Sequence, residues 1–108
     1  MFSTTDIFGR IVTLTSDTWQ THICIRHPEV KPYLNEIKQT IEEPCLVTKS
    51  SSEPNSQLYF DRPLKRDLYI KVVVDIDETN TGDVATALLQ KKLAGADTQG
   101  GVLYVNKK

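Results

Sequence analysis

Both histidines of the chain, His22 and His27, fall in one stretch, W-Q-T-H-I-C-I-R-H-P-E-V, running from Trp19 to Val30. Arg26 lies between them and Glu29 follows. Histidine is the side chain that takes and gives a proton near neutral pH, and arginine is a permanent planar ligand for phosphate. Concentrating every histidine beside an arginine and the only tryptophan suits a proton-transfer site or an anion-binding corner. On a helix His22 and Arg26 are four apart and share a face, with Trp19 one turn earlier. A basic face with an aromatic neighbour can hold a phosphate and stack a base. A structural reading of the same residues is equally concrete. Trp19 and Ile23 would anchor the core, His22 would sit at its boundary bonded to a carbonyl, and Arg26 would favour the helix C-terminus. His27, before Pro28, would be a cap or turn residue. His22 and His27 are five apart and turn to opposite sides of a regular helix, a poor spacing for a zinc pair.

The elements that must carry these residues follow from pattern. Ile11 to Thr15 alternates and is β-branched, which predicts a strand. Thr15, Ser16 and Asp17 offer consecutive N-caps for a helix from about Asp17 to Arg26, stopped near His27 by Pro28. Pro32 suits the first turn of a second helix, whose apolar stripe is Leu34, Ile37 and Ile41 and which ends at Pro44. Short strands are expected at Cys45–Thr48 and Leu58–Phe60. Leu68 to Ile76 is the clearest strand: Leu68, Ile70, Val72, Val74 and Ile76 form one face, and Tyr69, Lys71, Val73 and Asp75 the other. The first face reads as core, and the second, half polar, as the lining of a groove. A turn at Asn80 to Gly82 leads to a returning strand at Val84–Leu89, and Val102–Val105 is the last strand, after a loose connection marked by Gly95, Gly100 and Gly101. Together these predict a single α+β domain over residues 1–108, with an N-terminal strand and two helices packed on one face of an antiparallel meander.

Composition bounds the function. At 108 residues, 39% hydrophobic and 25% charged, the chain suits one globular core. No apolar run approaches the ~20 residues of a membrane helix, no signal peptide is evident at Met1–Arg10, and two cysteines, Cys24 and Cys45, make no disulfide framework. A cytoplasmic setting without membrane contact is expected. The net charge of −1 argues against a broad electrostatic nucleic-acid surface. The charge is uneven, with basic groups at Arg62, Lys65, Arg66 and Lys71 and at Lys91, Lys92, Lys107 and Lys108. Acidic residues Asp75, Asp77, Glu78 and Asp83 gather at one turn. There is no glycine-rich phosphate loop, no C-x-x-C and no H-E-x-x-H, so no cofactor is expected.

The order of segments resembles a known group. W-Q-T-H-I-C-I-R-H-P-E at 19–29 precedes I-K-Q-T-I-E-E-P at 37–44 and L-V at 46–47. S-S-S-E-P-N-S-Q-L-Y-F at 50–60 and L-Y-I-K-V-V-V at 68–74 follow. V-A-T-A-L-L at 84–89 and G-G-V-L-Y at 100–104 close the series. This is similar to the small phage-type nuclease-fold domains grouped with barnase, EndoU, colicin-type tRNases and RelE toxins, over about Ile11 to Val105. The resemblance implies a helix-then-meander fold and metal-independent cleavage of RNA by its own 2′-hydroxyl. That reaction needs a base, an acid and a cation for the crowded phosphate. Carried onto this chain, the resemblance makes His22 the base or acid and His27 the second proton-transfer residue. Arg26 and Lys71 become the phosphate ligands, and Tyr59 and Thr86 supply hydroxyls from the sheet. Trp19 would stack on RNA. The chain departs from the pattern at Leu88 and Phe60, where similar sequences carry tyrosine. Two functions are expected from this: a toxin-type endoribonuclease acting on RNA, tRNA among the candidates, and neutralised by an antitoxin protein; or a non-catalytic protein-interaction or RNA-binding module on the same fold.

Overall fold

The computed structural model describes residues 1–64 and 67–106. Lys65, Arg66, Lys107 and Lys108, from the two basic groups above, lie outside the described residues. The chain opens with two strands, β1 (Phe2–Thr5) and β2 (Ile11–Leu14). A helical stretch follows in three parts: α1 (Ser16–Thr18), a π-helical turn (Trp19–Ile23) and α2 (Cys24–Arg26). Thr15 is the N-cap, its Oγ1 accepting from the Thr18 amide at 3.2 Å. The stretch ends at His27, which leaves helical geometry at φ −133° just before Pro28. A 3-10 segment (Pro28–Tyr33) then feeds α3 (Leu34–Glu42). The remaining elements are β3 (Leu46–Lys49), β4 (Ser56–Asp61), β5 (Tyr69–Ile76), β6 (Gly82–Gln90), a single turn α4 (Ala96–Gln99) and β7 (Val102–Val105).

All seven strands join one sheet in the order β1-β2-β6-β5-β4-β3-β7. The fold is α+β, as the sequence pattern predicts. The meander β4-β5-β6 is antiparallel, but β2 runs parallel to β6, pairing Val12 with Gly82, so the sheet is mixed rather than a pure meander. Gly82 permits that pairing, because a Cβ there would sit 2.7 Å from Val74 Cγ1. β1, which sequence alternation did not mark, adds an outer strand beside β2.

Side-chain alternation divides the sheet into two faces. Val12, Leu14, Val47, Tyr59, Ile70, Val72, Val74, Val84 and Ala87 lie on one, where Trp19, Ile23, Val30, Ile37 and Ile41 of the helices bury against them. α3 packs on β1, β4 and β5, and the π turn and 3-10 segment pack on β6. The sheet must curl around α3 for this to happen. Five strand steps separate β2 from β7, ~24 Å in a flat sheet at about 4.8 Å per step. Yet Phe8, in the β1–β2 loop, meets Tyr104 of β7 edge-to-face with ring centroids 6.3 Å apart. The loop therefore closes one end of the curled sheet like a clasp. The opposite, convex face carries Lys71, Val73, Thr86 and Leu88. It is partly covered by α4, which is held on by the Thr48 hydroxyl donating to the Asp97 carbonyl at 2.6 Å. Gly100 makes this covering possible: a Cβ there would fall 2.0 Å from the Lys49 carbonyl oxygen. With α4 on the convex side, the helices do not all share one face.

Candidate functional site

The helical stretch delivers its residues in two directions. Trp19 is only 8% exposed and Ile23 is fully buried, both in the core cluster. Trp19 is thus a core anchor, and its ring is closed to a nucleic-acid base, which corrects the stacking role expected for it. His22 and Arg26 are exposed to solvent. His27 is half-buried beside Glu29, with Nδ1 at 3.6 Å from the carboxylate.

Lys71 and Thr86 lie on the other side of the sheet. In β5 the neighbours Ile70 and Val72 are buried against the helices, so Lys71 points away from them. Thr86 pairs with Val73 and shares that convex face. The Lys71 ammonium donates to Asp97 Oδ1 at 2.7 Å. The same carboxylate accepts from Gln90 Nε2 at 2.8 Å and from the Ala94 amide at 2.7 Å. Burial works to raise the Asp97 pKa, but Lys71, the Ala94 amide and Gln90 outweigh it and hold the carboxyl below its ordinary range. Lys71 is flanked across the strands by Phe60 and Leu88. These are the two positions where the resemblance expects tyrosine. The hydroxyls that would have stood beside the ammonium are replaced by apolar side chains, and the ammonium turns to Asp97. The sheet therefore separates His22, Arg26 and His27 from Lys71 and Thr86, and the five residues do not assemble.

Tyr59 belongs to a third place. Its ring is fully buried on the helix-facing side of β4. Its hydroxyl donates to Asp6 Oδ2 at 2.5 Å and accepts from Arg10 Nη2 at 3.1 Å. Burial, followed by the bond and charge of Asp6, pushes the phenol well above its usual pKa, so it remains a neutral donor. It is a buried strut and does not line an open site from the sheet, as the resemblance had implied.

Around Tyr59 the β1–β2 loop builds the most elaborate polar cluster among the described residues. Asp6 Oδ1 accepts from the Phe8 and Arg10 amides at 2.9 and 2.8 Å, which fixes the loop. Arg10 Nε donates to Asp6 Oδ2 at 2.9 Å, and Nη2 donates to Gln57 Oε1 at 2.5 Å as well as to Tyr59. The guanidinium carbon lies 4.8 Å from the Phe8 ring centroid, a cation–π stack. Above this arginine opens a cleft of about 240 Å³, lined by Phe8, Arg10, Gln57, Asn80 and Leu103. Phe8 and Leu103 are 42% and 43% exposed, and Val102 and Val105 on the same edge strand are 53% exposed. Sequence reasoning passed over Asp6 and Arg10. The available signal was D-I-F-G-R at 6–10: a turn glycine, here at φ +83°, between an acid and a base four residues apart.

Compared with known proteins, the chain matches no family model, no curated protein and no solved structure. Among the described residues no helix is long and apolar enough to cross a membrane. The cluster is therefore judged on its own chemistry. It presents one nearly buried, fully positioned arginine under an apolar rim, with no histidine among the described residues that line the cleft. Such an arrangement can recognise a group.

Proposed function

We propose that the chain is a non-catalytic protein-interaction domain whose contact surface is the clasp end of the sheet. The observation that carries this reading is the exposed pair Phe8 and Leu103 lining the cleft over the immobilised Arg10. Exposed aromatic and aliphatic residues grouped about an arginine are the composition of interface anchors. The edge strand β7 adds main-chain donors and acceptors beside them. The ribonuclease reading needs its proton-transfer groups, both phosphate ligands and the Thr86 hydroxyl on one side of the sheet, and only Arg26 of these shares a side with His22 and His27. An RNA-binding reading without turnover needs a local basic surface with an open aromatic. Here the only tryptophan is buried and the net charge is −1.

Photo-crosslinking tests the reading. A benzoylphenylalanine in place of Phe8, in cells of the source organism, is expected to form a protein adduct that disappears when Leu103→Asp is added to the same chain. The same photoreactive residue in place of Ile25, 70% exposed on the helical side, is expected to form none. Adducts from position 25 alone, or adducts at position 8 to RNA, would overturn it.

A further inference from the structure

The charge balance of the cleft narrows what can occupy it. Arg10 is already neutralised, since its Nε is paired with the Asp6 carboxylate, which is itself buried. Its Nη2 is committed to Gln57 and Tyr59. Among the described residues the only buried side-chain polar atom without a partner is Glu36 Oε2. Those bonds leave Nη1 as the guanidinium nitrogen with donors to offer the cleft that Arg10 lines. Two oriented N–H donors are thus available without a net positive charge behind them.

The surroundings are acidic. Asn80 forms one wall of the cleft and belongs to the β5–β6 turn, its amide donating to the Asp77 carbonyl at 3.0 Å. The Asp77 side chain, held by Thr79 and Thr81, stays ionised well into the acid range. Glu78 follows in the same turn. An anion arriving at Nη1 meets a neutral ion pair and a negative turn. A phosphate or a carboxylate is therefore opposed by the local field, at least at low ionic strength. An uncharged acceptor is not. Phe8 and Leu103 on either side favour apolar groups.

We infer that the cleft receives an uncharged, apolar stretch of polypeptide from a partner protein. One main-chain carbonyl of that stretch accepts from Arg10 Nη1, and the adjoining side chain rests between Phe8 and Leu103. The inference rests on the protein-interaction reading and names the chemistry of its partner. Preformed donors lower the cost of ordering such a segment, because the Asp6, Gln57 and Tyr59 bonds fix the guanidinium before anything binds.

The probe is N-acetyl-leucine methylamide, titrated into the isotopically labelled full chain and followed by NMR at the Arg10 side-chain N–H signals and the Leu103 methyls. Saturable shifts at both are expected in the millimolar range, at least fivefold weaker for N-acetyl-leucine, whose carboxylate is charged. Phe8→Ala, which leaves the polar network intact, is expected to abolish saturation while the spectrum stays dispersed. No saturable shift with the methylamide, or tighter binding of N-acetyl-leucine or inorganic phosphate, would overturn the inference. So would the same signals shifting on dilution of the free protein, which would mean that a second copy fills the cleft. If the methylamide fails while the Phe8 crosslink to a protein persists, the partner chemistry is wrong and the interaction surface stands.

Discussion

Replacing Asp6 with alanine is expected to be the most damaging single change at the clasp. Asp6 accepts from two loop amides, the Arg10 guanidinium and the Tyr59 hydroxyl. Removing it leaves a nearly buried guanidinium without its counter-charge and strands a buried phenol. Breaking one side of a buried ion pair typically costs about 3–5 kcal/mol, against about 5–15 kcal/mol of total stability for a small domain. Urea denaturation of Asp6→Ala should show a loss of that size. Removing the other charge as well, in Asp6→Ala with Arg10→Met, should recover part of it, because no uncompensated charge then remains. A loss under about 1 kcal/mol would mean that the loop is not a clasp but an exposed turn whose bonds water replaces.

Lys71→Met is expected to have the second largest effect, and its pH dependence carries the diagnosis. The Asp97 carboxylate is buried where α4 packs on the sheet and is paired with Lys71, whose side chain keeps 19% of its exposure. A pair of that kind falls between the exposed and buried limits, so a loss of about 2–3 kcal/mol is expected at pH 7. Asp97 titrates in the folded protein below its unfolded value. The native state therefore binds fewer protons than the unfolded chain as the carboxyl begins to titrate. The stabilisation is present in full above the unfolded carboxyl pKa, about 3.9. It is lost as pH falls through the lower folded value. The gap between wild type and Lys71→Met should thus be widest at neutral pH and narrow below about pH 4, measured by thermal unfolding across a pH series. A gap that stays constant with pH would place the effect in packing rather than in the ion pair.

Local pattern made much of the fold legible. The alternation of Tyr69–Ile76 is reproduced with Ile70, Val72 and Val74 buried and Lys71 on the other face. The cap at Thr15 and the stop at Pro28 bound the helical stretch where propensity puts them. What escaped was set by distant parts of the chain. The F-S-T-T of β1 has too little apolar alternation to announce a strand and is fixed by its ladder to β2. The parallel pairing of β2 with β6 depends on a glycine some seventy residues away. The same is true of the candidate site. Spacing put His22 and Arg26 on one face of a regular helix, which the structure interrupts with the π turn Trp19–Ile23, and no local signal records the side of the sheet on which Lys71 emerges relative to a helix. Tyr59 looked available because a single tyrosine in a short strand carries no sign of its burial. Asp6 and Arg10 looked like ordinary turn residues. Only the curl of the sheet brings Gln57, Tyr59 and Tyr104 to meet their loop.

The separation of the proton-transfer candidates from Lys71 is the central claim, and RNA integrity tests it most directly. Purified protein incubated with total RNA and with tRNA in the presence of EDTA, across pH 5 to 8, should leave both intact. His22→Ala should be indistinguishable from the wild-type chain. Metal-independent cleavage that leaves 2′,3′-cyclic phosphate ends and is lost in both His22→Ala and Lys71→Met would contradict it, since residues on opposite faces of the sheet would then be acting on one phosphate.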